Sequence, residues 1–344
     1  MKRTELDVLE AAPLPDGYTA RPMTLADAGA VVAMLNAGTQ ALLGRDEHSV
    51  NEWTLEWQAS NFRLEENTRL ALAPNGEVAG YVGLWDRSPH TRPEQYGQVG
   101  PAHTGRGLGT HLAQWAEMRA RQFMLAAPPG ADVALQAWVN SLDRPAAALL
   151  ADNGYRRQRS YWRMVIELDT AAPAAAVWPE GISVRNFVPG QDERATLMAI
   201  DGAFQDSHGY IEQPFEEHLA GWTERHLKNP EFDPSLWFLA TAGDEVIGTA
   251  FTRLHTPEDP EAAWLFTLGV TRPWRKRGVA QALLLHAFAE MRRRGRRKVT
   301  LGVDSDSPTN ALRLYEKAGM HPDPTGTEEV WEKALSAGMR GTGE

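Results

Sequence analysis

The chain has 344 residues, of which 42% are hydrophobic, so it is long enough for two globular domains of ordinary size. It has no cysteine, which excludes disulfides, thiolate metal sites and a cysteine nucleophile. The formal net charge of −10 argues against nucleic acid as a partner, and the absence of a long apolar run predicts no membrane span, no signal peptide and a cytoplasmic location.

Landmarks of the first half recur in the second half at spacings of 164 to 171 residues, which indicates a tandem duplication. Each half is predicted to run strand, one or two helices, three strands, helix, strand, helix and strand. This order predicts the α/β (α+β) class, with a mixed, mostly antiparallel central sheet flanked by helices in each half. The matching pairs are Arg21 with Arg185, Gly80 with Gly248, Gly107 with Gly278, and Gly154 with Gly319.

A stretch rich in alanine and proline, with little apolar periodicity, separates the two halves. We therefore predict an N-terminal domain over residues 1–168, a linker over 169–179 and a C-terminal domain over 180–344.

In the second half, a predicted strand ending at Val270 is followed by a basic glycine turn and then a helix. The turn has the pattern Arg275-x-x-Gly278-x-Ala280. Backbone N–H groups and the positive end of the helix dipole meet at such a turn, which predicts a site for phosphate or pyrophosphate. The turn fits neither the Walker pattern nor the Rossmann pattern.

The last predicted helix carries a tyrosine beside its apolar stripe. Ala311, Leu314 and Ala318 fall on one face at helical spacing, and Gly319 is placed to end the helix. Tyr315 lies at the edge of that face and could reach a cleft. The alternative is a tyrosine that only packs, with its hydroxyl in water.

In this order and at this spacing, Trp264–Val270, the glycine turn and Val303–Met320 resemble the GNAT acetyltransferase family. The resemblance covers roughly residues 181–334, and a weaker copy covers most of the first half. It implies acetyl-CoA as co-substrate, no metal, and Tyr315 as the acid that protonates the leaving thiolate. It also implies that the coenzyme contacts Leu268, Gly269, Val270, Arg275, Lys276, Arg277, Gly278, Val279, Ala280, Gln281, Asn310 and Arg313.

The acceptor side is predicted less specifically. The family resemblance assigns the region between the first two helices to the acceptor pocket, where Asp206, His208 and Glu212 could bind or deprotonate an amine. A polar surface loop is the alternative. Trp264 is a further candidate, and it stands where the resemblance to the mycothiol-completing enzyme would place a glutamate.

The two copies differ at two positions of the predicted site. Leu150 stands at the position of Tyr315, and a leucine cannot donate a proton. Thr104 stands at the position of Arg275. We therefore predict that the first copy is degenerate and non-catalytic, with a structural or acceptor-shaping role.

The leading interpretation is an acetyl-CoA-dependent N-acetyltransferase that acts on the primary amine of a small molecule. The alternatives are acetylation of the mycothiol-synthase type and a non-catalytic coenzyme A-binding sensor or scaffold. The basic run Arg292–Lys298 is interpreted as a solvated helix end, because no interleaved aromatic residues support base stacking. No nucleic-acid or membrane partner is predicted, and the sequence leaves the oligomeric state open.

Overall fold

The computed structural model describes residues 11–59, 61–169, 172–207, 210, 212–229, 231–256, 259–307 and 311–335. The helices of this part are α1 (Ala28–Leu43), α2 (Val50–Trp57), α3 (Leu64–Asn67), α4 (Leu108–Phe123), α5 (Arg144–Asp152), α6 (Glu193–Phe204), α7 (Phe215–Leu227), α8 (Val279–Arg293) and α9 (Ala311–Lys317). The strands are β1 (Thr19–Arg21), β2 (Thr68–Leu72), β3 (Val78–Trp85), β4 (Glu94–Val99), β5 (Ala134–Asn140), β6 (Arg156–Glu167), β7 (Ile182–Asn186), β8 (Trp237–Ala242), β9 (Glu245–Arg253), β10 (Ala262–Val270), β11 (Lys298–Asp304), β12 (His321–Pro322) and β13 (Glu328–Ala334).

The chain forms two compact units, one of described residues up to Ser160 and from Thr327 onward, and one of Tyr161–Gly326. The strand order is β1-β2-β3-β4-β5-β13 in the first unit and β6-β11-β10-β9-β8-β7 in the second, where β12 also pairs with β6. Within each unit these pairs are antiparallel, except for β4 with β5 and β10 with β11. The predicted fold class, a mostly antiparallel sheet with helices in each half, is confirmed.

The division into units differs from the predicted boundary at residues 169–179. Strand β13 lies in the first unit, where it pairs with β5 from Glu328 opposite Asn140 to Ala334 opposite Ala134. Strand β6 pairs with β11 along seven residues, which places most of β6 in the second unit. Hydrophobic patterning shows that each segment is a strand but does not specify its partner, which is why the sequence alone assigned β6 to the first half and β13 to the second.

The duplication is visible in an ion pair that joins an arginine of β1 or β7 to an aspartate a few residues later. In the first unit, Arg21 donates to Asp27 over 2.7 and 2.8 Å. In the second unit, Arg185 donates to Asp192 over 2.6 and 2.8 Å. The hydrogen bonds from Arg185 are the main cause of a lowered pKa for Asp192, so this pair stays charged at neutral pH.

A second shared feature is a glycine that lets the helix after each basic turn approach the sheet. A Cβ on Gly80 would lie 2.9 Å from Leu112 Cδ1, and a Cβ on Gly248 would lie 3.2 Å from Leu283 Cδ1 and 3.0 Å from the carbonyl oxygen of Gly269. Any larger residue would push α4 or α8 away from its sheet.

The long helix α8 forms one wall of the core in the second unit. Its inward side chains are almost completely buried, and each such side chain stabilises the fold by about 1.5–3 kcal/mol. These residues include Leu283, Leu284, Phe288 and Met291. The burial fixes the position of the N-terminus of α8, where the predicted anion site begins.

Candidate functional site

The candidate site of the second unit begins where two parallel strands diverge. Ala262–Trp264 of β10 pair with Lys298–Thr300 of β11, and β10 then continues to Val270 without β11 beside it. The pairing of β10 with β9 also shifts by one residue at Phe266, which forms a β-bulge and bends the strand. An opening therefore lies between β10 and β11 beyond Trp264.

Backbone groups of β10 face this opening. In an antiparallel pair, successive N–H groups of one strand point alternately toward and away from the partner strand. Because Thr271 N–H donates to Ile247 O over 2.9 Å, the N–H groups of Leu268 and Val270 point away from β9. The orientation is supported by Arg275, whose Nε donates to Val270 O over 3.2 Å. The N–H of Leu268 is thus placed to donate to a ligand in the opening.

The basic turn next to the opening has the geometry of an anion site. A short 3-10 turn over Arg272–Trp274 leads to Lys276 at φ +61° and Gly278 at φ +90°. Consecutive amide groups around left-handed residues form a concave cluster of donors, and the first N–H groups of α8, from Val279 onward, lack intrahelical partners. A Cβ on Gly278 would meet only Pro179 Cγ, at 3.9 Å, so there is space for a ligand against this backbone.

Arg275 holds the turn in place through its side chain. Its guanidinium donates to Asp206 Oδ2 over 2.8 Å and to Ala203 O over 2.9 Å, in addition to the bond to Val270. Arg272 donates to the same carboxylate, with Nε 2.8 Å from Oδ2. Asp206 was predicted to contact the acceptor, but the structure places its carboxylate between two arginines of the turn. Arg275 therefore contributes to the site by positioning its backbone.

Tyr315 lies on α9 and is only 7% exposed. Burial raises the pKa of its phenol to about 12, so the side chain is protonated at any physiological pH. Its hydroxyl makes no hydrogen bond to another described residue, which leaves the O–H free to donate to a ligand. The end of the helix is fixed by Gly319 N–H to Glu316 O at 3.0 Å and Met320 N–H to Tyr315 O at 3.0 Å.

The structure confirms that Leu150 is the counterpart of Tyr315. Tyr155 N–H donates to Leu150 O over 3.0 Å, as Met320 does to Tyr315, and Gly154 N–H donates to Ala151 O over 2.9 Å, as Gly319 does to Glu316. Leu150 is 5% exposed. The first unit therefore has an apolar, non-donating side chain at this point of the fold.

The basic turn of the first unit has the same backbone geometry with different side chains. A 3-10 turn over Pro101–His103 is followed by Gly105 at φ +73° and Gly107 at φ +87°. Thr104 replaces the anchoring arginine, and its hydroxyl donates to Pro101 O over 3.2 Å. The turn of the second unit is therefore held by an arginine side chain, and this position of the first unit has only a threonine hydroxyl bond within the turn.

The other residues predicted for the site lie in several places. Gly269 lies between Leu268 and Val270 on β10, while Val279, Ala280 and Gln281 form the first turn of α8. The guanidinium of Arg277 lies 4.9 Å above the ring of Trp274, and that of Arg163 lies 5.8 Å above the half-buried ring of Trp264. Glu212 and Arg313 are exposed, and His208 and Asn310 lie outside the described residues.

Sequence reasoning missed a histidine beside the bulge of β10. The ring of His226 on α7 stacks on Phe266, with centroids 5.9 Å apart and an angle of 14° between the rings. Burial lowers the pKa of His226 to about 4, so its imidazole is neutral at physiological pH. The available signal was the spacing of His218, Trp222 and His226, which places all three on one face of α7.

Two further findings concern metal ions and membranes. Among the described residues, no group of three or more His, Asp or Glu side chains could hold a metal ion. No helix in that part of the chain is both long and apolar enough to cross a bilayer.

Comparisons with known proteins agree with the duplicated architecture. The sequence profile of the Acetyltransferase (GNAT) family matches residues 37–155 and again 202–320. A mycothiol acetyltransferase of Thermobispora bispora is 33% identical over 305 residues, which cover 86% of this chain and 93% of that protein.

Solved structures show the same similarity. A GCN5-related N-acetyltransferase from Sphaerobacter thermophilus has a TM-score of 0.79 and 37% identity, with 95% of this chain and 98% of that chain covered. A tandem GNAT protein from the clavulanic acid biosynthesis pathway has a TM-score of 0.71 at 16% identity, with 93% of this chain and 99% of that chain covered, and it supports the fold alone.

Proposed function

Because the chain belongs to the GNAT acetyltransferase family, we propose that its Tyr161–Gly326 unit transfers an acetyl group from acetyl-CoA directly to the primary amine of a small molecule. The observation that supports this most is the combination, in one unit, of an opened β10–β11 pair, an adjoining left-handed basic turn and a buried tyrosine with a free O–H. The first unit lacks that tyrosine, and we assign it no catalytic role.

The backbone of the second unit offers two anchors for acetyl-CoA. The amide groups around Gly278 and the start of α8 would bind the pyrophosphate. The N–H of Leu268, turned into the opening, would donate to the thioester carbonyl and stabilise the negative charge that develops on its oxygen during attack. Both groups are fixed by backbone structure, so little reorganisation accompanies the reaction.

Tyr315 would act on the leaving sulfur. A thiol has a pKa of about 8.5, so complete proton transfer from a phenol with a pKa of about 12 is uphill by roughly 5 kcal/mol. The phenol is therefore a hydrogen-bond donor to the sulfur as negative charge develops, with the proton released by the amine available to complete the thiol. Its raised pKa ensures that the donor is present throughout the working pH range.

A second candidate function is acetylation of the mycothiol type. It is favoured by the similarity to the mycothiol acetyltransferase of Thermobispora bispora along most of both chains. Trp264 departs from the glutamate that this activity would place on β10, and its ring faces the guanidinium of Arg163 instead. The acceptor is therefore best identified by direct assay.

Acceptor screening should identify the substrate class. We expect at least one small primary amine to raise thiol release from acetyl-CoA about tenfold or more above the rate of hydrolysis. The panel should contain amino sugars, polyamines and mycothiol that lacks its acetyl group. The matched control is the N,N-dimethyl form of each active amine, which cannot be acetylated to a neutral amide. No response to any small-molecule primary amine, together with acetylation of protein lysines, would contradict the proposal.

Replacement of Asp206 by asparagine should affect the coenzyme rather than the acceptor. Loss of the carboxylate loosens Arg272 and Arg275, so we expect the KM for acetyl-CoA to rise about 3- to 10-fold with kcat within about twofold. The control is Glu216→Gln, which breaks an exposed pair with Arg194. A changed acceptor KM with an unchanged acetyl-CoA KM would instead place Asp206 at the acceptor, as the sequence had predicted.

A further inference from the structure

The first unit contains a cleft that the proposed reaction does not use. It is an open cleft of about 330 Å³, within the range of small-molecule sites, and lies where β4 and β5 diverge after Gln95 pairs with Ala137. Helix α2 and strands β3, β4 and β5 supply four aromatic rings to its walls. The rings belong to Trp53, Trp85, Tyr96 and Trp138.

The aromatic wall is rigid. The ring of Trp53 lies 5.2 Å from that of Tyr96 and 5.8 Å from that of Trp85. Trp53 Nε1–H donates to His48 Nδ1 over 3.2 Å, and the other nitrogen of His48 lies 3.0 Å from the hydroxyl of Tyr96. Because indole can only donate, Nδ1 of His48 must be unprotonated. The two hydrogen bonds through His48 therefore fix the rings of Trp53 and Tyr96. A ligand would meet a preorganised surface.

The lining of the cleft is acidic. It contains the carboxylates of Glu52, Glu56 and Glu94 against the single guanidinium of Arg87. In the described part of the chain, the carboxylates of Glu56 and Glu94 make no hydrogen bond or ion pair. The negative charge of these two carboxylates is therefore not neutralised by a bonded protein cation.

At the equivalent position of the second unit, arginine side chains lie beside the aromatic rings. Glu94 pairs with Trp85 across β3 and β4, and Trp264 pairs with Arg253 across β9 and β10. In the second unit, Arg163 lies over the ring of Trp264 and Arg253 over that of Phe266. Among the described residues, no lysine or arginine lies over the ring of Trp53, Trp85 or Tyr96 in the first unit.

We propose that this cleft binds a small organic ammonium ion, with its positive charge among the aromatic faces and carboxylates. Aromatic faces carry negative electrostatic potential and attract cations, most strongly at tryptophan. The free carboxylates supply the counter-charge, while the apolar rings hold the carbon skeleton. The site is distinct from the coenzyme opening of the second unit, and it requires no catalysis by the first unit.

Binding of benzylammonium to the full-length protein tests this proposal. Calorimetry at pH 7.5 without acetyl-CoA should give a Kd for benzylammonium at least about tenfold lower than for neutral benzyl alcohol, and phenylacetate should not bind. The double variant Glu56→Gln/Glu94→Gln should raise the benzylammonium Kd about 5- to 10-fold. Glu65→Gln, which removes an exposed carboxylate of α3 outside the cleft, should leave it unchanged.

The Tyr315→Phe variant should bind benzylammonium as the wild type does, so failure of the proposed acetyl transfer would leave this result intact. Equal affinities for benzylammonium and benzyl alcohol would overturn the ammonium site. An unchanged Kd in the double glutamine variant would also overturn it, because binding would then lie elsewhere.

Discussion

Replacement of Tyr315 by phenylalanine is expected to lower kcat by about 100-fold or more, with the KM for acetyl-CoA changed by less than about twofold. The ring is 7% exposed and packs in the core, so phenylalanine keeps the packing and removes only the O–H. Loss of a positioned proton or hydrogen-bond donor at a leaving group typically costs this much. Steady-state kinetics of thiol release would measure both constants.

The pH profile gives this prediction a second readout. Burial raises the pKa of Tyr315 to about 12, so the donor is lost only when the pH rises through that value. We expect no decline of wild-type kcat attributable to Tyr315 below about pH 11. The control is Tyr155→Phe, which removes the hydroxyl of a buried tyrosine in the first unit. Full activity in Tyr315→Phe would reduce Tyr315 to a packing residue.

Replacement of Gly278 by tryptophan should abolish use of acetyl-CoA, with kcat/KM for acetyl-CoA reduced by about 100-fold or more. The new side chain would project into the space beside the turn, where the nearest protein atom to a Cβ is 3.9 Å away, and would occupy the volume needed by the pyrophosphate. Calorimetry with coenzyme A would show the same loss as a missing binding heat.

The matched control is Gly107→Trp in the first unit. Gly107 has φ +87° against +90° at Gly278, and both precede a long helix, so either substitution imposes a similar backbone strain of about 1–3 kcal/mol. We expect Gly107→Trp to retain acetyl transfer within about twofold. Loss of activity in Gly107→Trp, with activity retained in Gly278→Trp, would reverse the assignment of the two units.

Local patterns in the sequence were sufficient to predict several parts of the structure. The glycine turn, the following amphipathic helix and the helix-ending Gly319 depend on residues close together in the chain, so their spacing is informative. The equivalence of Leu150 and Tyr315 followed from the distance of each to its helix-ending glycine. The family resemblance then supplied a role for Tyr315.

Other features depend on contacts between distant parts of the chain. In the sequence, Asp206 is an ordinary polar loop residue. Its position between Arg272 and Arg275 is seen only in the folded structure. The bulge at Phe266 adds one residue to β10 without a distinctive residue type. His226 is ordinary in sequence, and its low pKa comes from burial among rings on other elements.

The position of β13 has a consequence for biosynthesis. The first unit is translated before the second, except for β13. This strand covers the edge of β5 and is translated only after Tyr161–Gly326. A growing chain therefore holds an uncovered strand edge through the synthesis of Tyr161–Gly326, and such edges readily pair with other chains. A cut within residues 169–179 would separate the first unit from its final strand. Independent production of that unit would require β13 to be joined to it by a new connection.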